Sequence, residues 1–184
     1  MQRFVPLAIL LACAVTAPLR AQPAAAATEA LACLFAGVTP EQRALAGAAA
    51  SQRLTDVPAD GERRGGAALD SILAALPRCA EAGRWTEARR DMAHQYVLLQ
   101  TAREDVRRRY AAQNVDLSFI DEAIVAMPAR ASPSFDSLVA RVRAQGVGDD
   151  RSDSAGDIVF IYLELSMNAE AIRAGFADPG FRLR

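Results

Sequence analysis

The segment from about Ser154 to Ala174 constrains the fold more than any other part of the chain. Ile158, Ile161, Tyr162, Leu165, Ala169 and Ile172 recur at the spacing of one helical face, and Phe160, Leu163 and Met167 fall on another. A helix that is apolar most of the way round is packed by neighbours on several sides, so this one is expected at the centre of a helical assembly. Other apolar runs share the period, among them Leu69, Ile72, Leu73 and Leu76, then Met92, Tyr96, Leu99, Val106 and Tyr110. The same holds for Leu117, Ile120, Ile124 and Met127, and for Phe135, Leu138, Val139 and Val142. No alternating strand pattern interrupts them, and no Asn-Gly turn joins two apolar runs. The fold class is therefore all-α, a compact bundle of five to seven helices, and the pattern fits up-and-down and orthogonal packing alike.

Punctuation residues set the boundaries. Thr28 is expected as the N-cap of a short helix with apolar face Leu31, Leu34 and Phe35, and Gly37 as its left-handed stop. Thr39-Pro40-Glu41-Gln42 starts the next helix: Thr caps, Pro needs no donor in the first turn, and Gln can return a capping-box bond. That helix should run to about Arg53, with Ala44, Leu45, Ala48 and Ala49 forming a small-residue face suited to close backbone approach. Thr55 to Gly66 has no periodicity and reads as an exposed loop. A helix from Ala67 is expected to kink or restart at Pro77, and one capped by Thr86 should extend to near Ala112, about 40 Å. Pro128 should stop the following helix, Ser132-Pro133 start another, and Gly146 end it. Within this series, Ala80 to Ala88 (Ala-Glu-Ala-Gly-Arg-Trp-Thr-Glu-Ala) resembles the turn between the two helices of a tetratricopeptide repeat, where Gly and an aromatic residue precede Glu-Ala. The likeness covers some nine residues and has no second copy at a 34-residue period, so it implies a single helical hairpin pinned by the Trp85 ring.

The first residues have a different character. Arg3 precedes an apolar run from Phe4 to Leu19, and Leu19-Arg20-Ala21 offers a small-residue cleavage site before Gln22. Residues 1–21 therefore read as a signal peptide, with cleavage possible up to residue 27 because Ala24 to Ala27 also satisfies the rule, and 28–184 as one all-α domain. The run falls short of the roughly 20 residues that span a bilayer. Leu10-Leu11-Ala12-Cys13 resembles the lipobox of bacterial lipoproteins and is the one route to membrane attachment, although the apolar run continues past Cys13. The expected location is periplasmic or secreted.

Only Cys33 and Cys79 lie beyond that leader. An even number of thiols in an oxidising compartment forms a bridge, and their separation excludes the C-x-x-C spacing of redox enzymes. Forty Ala and no Lys reflect a GC-rich coding bias. Without Arg3 and Arg20, 19 Arg face 22 acidic residues, a net charge of −3, which disfavours nucleic acid as a partner. Arg107 to Arg109 adjoin Glu104 and Asp105 and read as a solvated helix face.

Chemistry-bearing patterns are sparse. His94 is the only His, and Asp91 and Glu87 share its side of the long helix, making Asp91 and His94 the one pair that could anchor a ligand or metal. There is no G-x-S-x-G elbow and no phosphate-binding Gly loop. Gly148 to Asp153 departs from the calcium-loop pattern, with Arg151 at the third position where a ligand belongs and an apolar residue at the twelfth, and reads as an acidic lead into the last helix. Phe181 and Leu183 in the Arg-containing tail are expected to fold back on the bundle. No cofactor is implied. The expectation is a binding or interaction protein of the envelope, with another envelope protein as partner, and an inter-helix cavity anchored by Asp91 and His94 as the alternative.

Overall fold

A computed structural model describes residues 21–55, 62–126, 134–147 and 154–178. All regular structure among them is helical: α1 (Ala21–Ala32), a 3-10 turn (Cys33–Phe35), α2 (Pro40–Thr55), α3 (Glu62–Leu73), α4 (Leu76–Ala82), α5 (Glu87–Ala111), α6 (Ser118–Ala126), α7 (Phe135–Arg143) and α8 (Ala155–Ala177). α3 and α4 are two arms of one helix bent at Ala74 and Ala75, with Pro77 in the first turn of the second arm, where its missing N–H costs nothing. Counted so, the described residues make seven helical units, and the all-α bundle is as expected.

The capping chemistry works as the sequence dictates. Thr39 Oγ1 accepts from the Gln42 N–H at 3.2 Å while Gln42 Oε1 accepts from the Thr39 N–H at 2.9 Å, a complete capping box. Thr86 caps α5 and Ser154 caps α8 through side-chain oxygens that accept from Arg89 and Asp157 N–H. Gly37 and Gly146 take positive φ where their helices stop.

Two boundaries and one buried face differ. Thr28 is not an N-cap, because α1 begins at Ala21 and passes through it. The stretch expected as a loop up to Gly66 is helical from Glu62, since Gly65 faces α2 so closely that a Cβ there would lie 2.9 Å from the Leu45 carbonyl oxygen. α2 also turns a different face inward: Ala46, Gly47, Ala49, Ala50 and Ser51 are buried while Leu45 is exposed. Residues 1–20 of the expected signal peptide 1–21, with Cys13, residues 56–61, Pro128, Ser132, Pro133, the acidic stretch 148–153 and the tail with Phe181 and Leu183 lie outside the described residues.

α5 and α8 form the centre. α5 packs on α2 and α8, α3 covers α2, and α1, α6 and α7 each lie on α8. Ile158, Val159, Tyr162, Ala169 and Ile172 of α8 are buried, as a central helix requires. Its second apolar face is covered only at Leu163, with Phe160 59% and Met167 45% exposed, and Ile161, expected on the buried face, is exposed too. Phe135, expected in the contact face of α7, is likewise exposed. The start of α6 is clipped to the end of α7 by Gln145, which accepts from the Asp116 N–H at 2.6 Å and donates to its carbonyl at 3.0 Å.

Candidate functional site

The bridge between Cys33 and Cys79, with 6.0 Å between their Cα atoms, ties the 3-10 turn after α1 to α4. It closes a chain loop of 46 residues' separation and so fixes the path of the turn. Phe35, two residues on, stands edge-to-face against Tyr96 of α5, their ring centroids 6.4 Å apart at 73°. Arg43 reaches from the first turns of α2 over the Phe35 ring, 4.7 Å from its centroid. The same guanidinium stands 3.4 Å from Glu104 Oε1 of α5, and Gln100 Nε2 donates to that oxygen at 2.9 Å. With Thr28, Leu31 and Ala32 of α1 as the third wall, these side chains bound a cavity of about 190 Å³.

The groove is therefore apolar and aromatic on its floor and carries a charge of each sign at its rim. Burial raises the Tyr96 phenol above its ordinary pKa, Glu170 and Glu104 add to the rise, and Arg173 and Arg103 oppose it. The ring stays neutral across the physiological range and acts as a wall with a polar tip.

A polar network backs the groove. Arg103 meets Asp121 of α6 at 2.7 Å, and the Tyr162 hydroxyl donates to Asp121 Oδ2 at 2.9 Å. Burial opposes the Arg103 cation, yet its bonds to Tyr162 and Asp121 outweigh that and raise its pKa. Glu170 of α8 lies 3.9 Å from Arg103 and 2.6 Å from Arg173, whose Nη1 donates to Thr28 Oγ1 at 3.3 Å on the groove's edge. The network thus links α6, α5, α8 and α1 through charge-assisted bonds that hold the walls in place.

Asp91 and His94 occupy the first half of α5, and both are exposed, as is Glu87. Among the described residues no group of three or more His, Cys, Asp or Glu is gathered that could hold a metal ion. The structure brings Cys33 and Cys79 together and leaves Asp91 and His94 on an open helix face. Sequence reasoning placed Phe35 and Tyr96 on apolar faces but did not single out the groove. Its rim pair, Arg43 and Glu104, is 61 residues apart and belongs to no local pattern. No family model, no curated protein and no solved structure matches this chain.

Proposed function

We propose that this is an exported binding protein whose site is the groove between α1, the 3-10 turn, α2 and α5. The observation that carries the reading is the groove's lining: the Phe35 and Tyr96 rings and the aliphatic Leu31 and Ala32 beside the polar groups Thr28, Arg43, Gln100 and Glu104, around a 190 Å³ space. Ligand sites are built this way, apolar for affinity with a small number of placed polar groups for orientation. The volume suits a molecule smaller than a typical drug.

Export is supported by the leader's composition and by the bridge, which is at home in an oxidising compartment. Among the described residues no helix is long and apolar enough to cross a membrane. Mass spectrometry of the native protein tests this part: a start between Gln22 and Thr28 and a mass lower by two hydrogens are expected. A retained leader or free thiols would overturn it, and a lipid on Cys13 would move the protein to a membrane surface.

The binding reading is tested by titrating the oxidised protein with neutral probes, p-cresol and isovaleramide, and following amide shifts by NMR. Perturbations should centre on Leu31, Phe35, Tyr96 and Gln100. Shifts centred elsewhere would remove the groove as a site, as would the absence of shifts with these and with charged probes alike.

The exposed stripe Phe160, Ile161 and Met167 favours a second reading, contact with another envelope protein through α8. A photocrosslinker at Phe160 should then give one discrete adduct in the envelope, and the same crosslinker at His94 should not. Equal labelling from both positions would count against it.

A further inference from the structure

We infer that the groove takes a small zwitterion, a free α-amino acid with an apolar side chain. This rests on the groove being the binding site. The two rim charges are of opposite sign and come from different helices, Arg43 on α2 and Glu104 on α5. Their separation of 3.4 Å is longer than a tight charge-assisted bond, and both side chains are about a third exposed, at 37% and 30%. Such a pair opens at little cost, because a solvated ion pair contributes little net stability. An α-carboxylate can take the guanidinium fork of Arg43, and the adjacent α-ammonium can take Glu104, so that each charge exchanges one partner for another.

The remaining geometry selects the same class. Both bonds to Glu104, from Arg43 and from Gln100, fall on Oε1, so the carboxylate keeps acceptor capacity on Oε2 for an ammonium. Gln100 Nε2 holds the carboxylate in place when Arg43 turns away. Beside the charged pair the half-buried Phe35 and Tyr96 rings offer an apolar surface for the side chain, with the buried Leu31 behind them. A purely anionic ligand on Arg43 would leave Glu104 facing like charge, and a purely cationic one on Oε2 of Glu104 would leave the Arg43 fork unused. A ligand whose two charged groups are carried on one carbon engages both rim residues together.

The test uses the oxidised full-length protein and four probes: L-leucine, L-phenylalanine, N-acetyl-L-leucine, which lacks the ammonium, and L-leucinamide, which lacks the carboxylate. Amide shifts of Tyr96 and Gln100 are followed to about 10 mM, above the millimolar affinities that a few polar contacts supply. Leucine or phenylalanine should bind, and each leucine derivative should bind at least about tenfold more weakly, the loss expected for one charged hydrogen-bonding partner. Arg43→Gln and Glu104→Gln should each weaken leucine by a similar factor, and each should narrow the gap between leucine and the derivative that lacks the charge it would have bound. If either derivative binds within about threefold of leucine, a step too small for a lost charged contact, the zwitterion assignment falls and the groove remains a site of another class. The same holds if neither amino acid shifts the groove resonances while p-cresol or isovaleramide does. If no probe of any charge shifts them, both the assignment and the groove reading fall. The ligand-side comparison decides the matter even where a variant folds poorly.

Discussion

Gly47 of α2 lies directly on the backbone of Thr101 in α5, so near that a Cβ at this position would stand 2.6 Å from the Thr101 carbonyl oxygen and 3.0 Å from the Asp105 Cβ. The contact sets the closeness of the α2–α5 crossing and hence the reach of Arg43 to Glu104 across the groove. Around it, buried Asp105 accepts from Ser51 Oγ at 3.0 Å and forms ion pairs with Arg109, 3.0 Å from its Nε, and with Arg108. Small side chains on one helix and a satisfied carboxylate on the other make the approach possible.

Gly47→Ala reverses the usual sign of its substitution. Replacing a mid-helix Gly by Ala ordinarily adds about 0.5–1 kcal/mol, because Gly loses more backbone freedom on folding. At Gly47 the clash is with backbone, which cannot swing away, so α2 must lift and a loss of about 1–3 kcal/mol is expected. Gly66→Ala in α3 is the control: a Cβ there meets nothing within 4 Å, and a gain of up to about 1 kcal/mol is expected. Urea unfolding of both variants checks the pair, and equal effects would disprove the close-contact account.

Gly83→Ala should expel the single Trp. A Cβ at Gly83 would lie 2.1 Å from Trp85 Nε1, and the indole cannot retreat because it is packed edge-to-face on Phe176, centroids 4.9 Å apart. Trp85 therefore pins both the α4–α5 hairpin and the end of α8. The variant should lose about 2–4 kcal/mol, near the cost of deleting a buried aromatic contact, and shift Trp emission to the red. An unmoved emission maximum would show that the ring finds room, contrary to the packing.

What the sequence made legible follows the range of each signal. Thr39 with Gln42, Thr86, Pro77, Gly37 and Gly146 act on neighbours within four residues, so their roles could be read directly. The pairing of Cys33 with Cys79 was readable for another reason, since no other thiol follows Cys13. Failures arise where a distant element decides. Gly65 reads as a loop residue, yet it is helical and lies so near the Leu45 carbonyl that a side chain would not fit, and Thr28 reads as a cap until the helix before it is seen. Phe160 and Met167 complete an apolar circumference that the bundle leaves uncovered, because neighbours occupy only part of α8. The groove's rim joins residues on two helices whose crossing is fixed by Gly47 and Thr101, and no periodicity encodes that.

Alkaline pH should destabilise the fold through two tyrosines. Burial raises the Tyr162 phenol, Asp121 adds to the rise and Arg103 opposes it; burial raises Tyr96 in the same direction. Because the folded state holds these protons more tightly than the unfolded chain, the associated stability is fully present below pH about 10 and is lost as pH climbs through the raised values. Denaturant midpoints should be flat in this respect from pH 7 to about 9 and fall above about 10. Tyr162→Phe should flatten the alkaline fall while lowering stability at neutral pH by about 1 kcal/mol, through the lost bond to Asp121. An alkaline slope identical in wild type, Tyr162→Phe and Tyr96→Phe would assign the fall to other groups.

Removing the bridge should act on stability and on the groove together. The cross-link closes a loop of 46 residues' separation, for which chain entropy gives a stabilisation of about 4 kcal/mol, an upper figure. The variant with Cys33→Ala and Cys79→Ala should therefore unfold at lower denaturant with a larger m-value, since its unfolded chain is less confined. Phe35 depends on the same link, because the 3-10 turn that carries it is tied to α4 only two residues earlier. Amide shifts of Tyr96 and Gln100 should move in the variant even where circular dichroism is unchanged, and affinity for groove probes should drop. A variant as stable as wild type, with the Tyr96 resonance in place, would mean that Leu31 and Leu34 anchor the turn without help from the bridge.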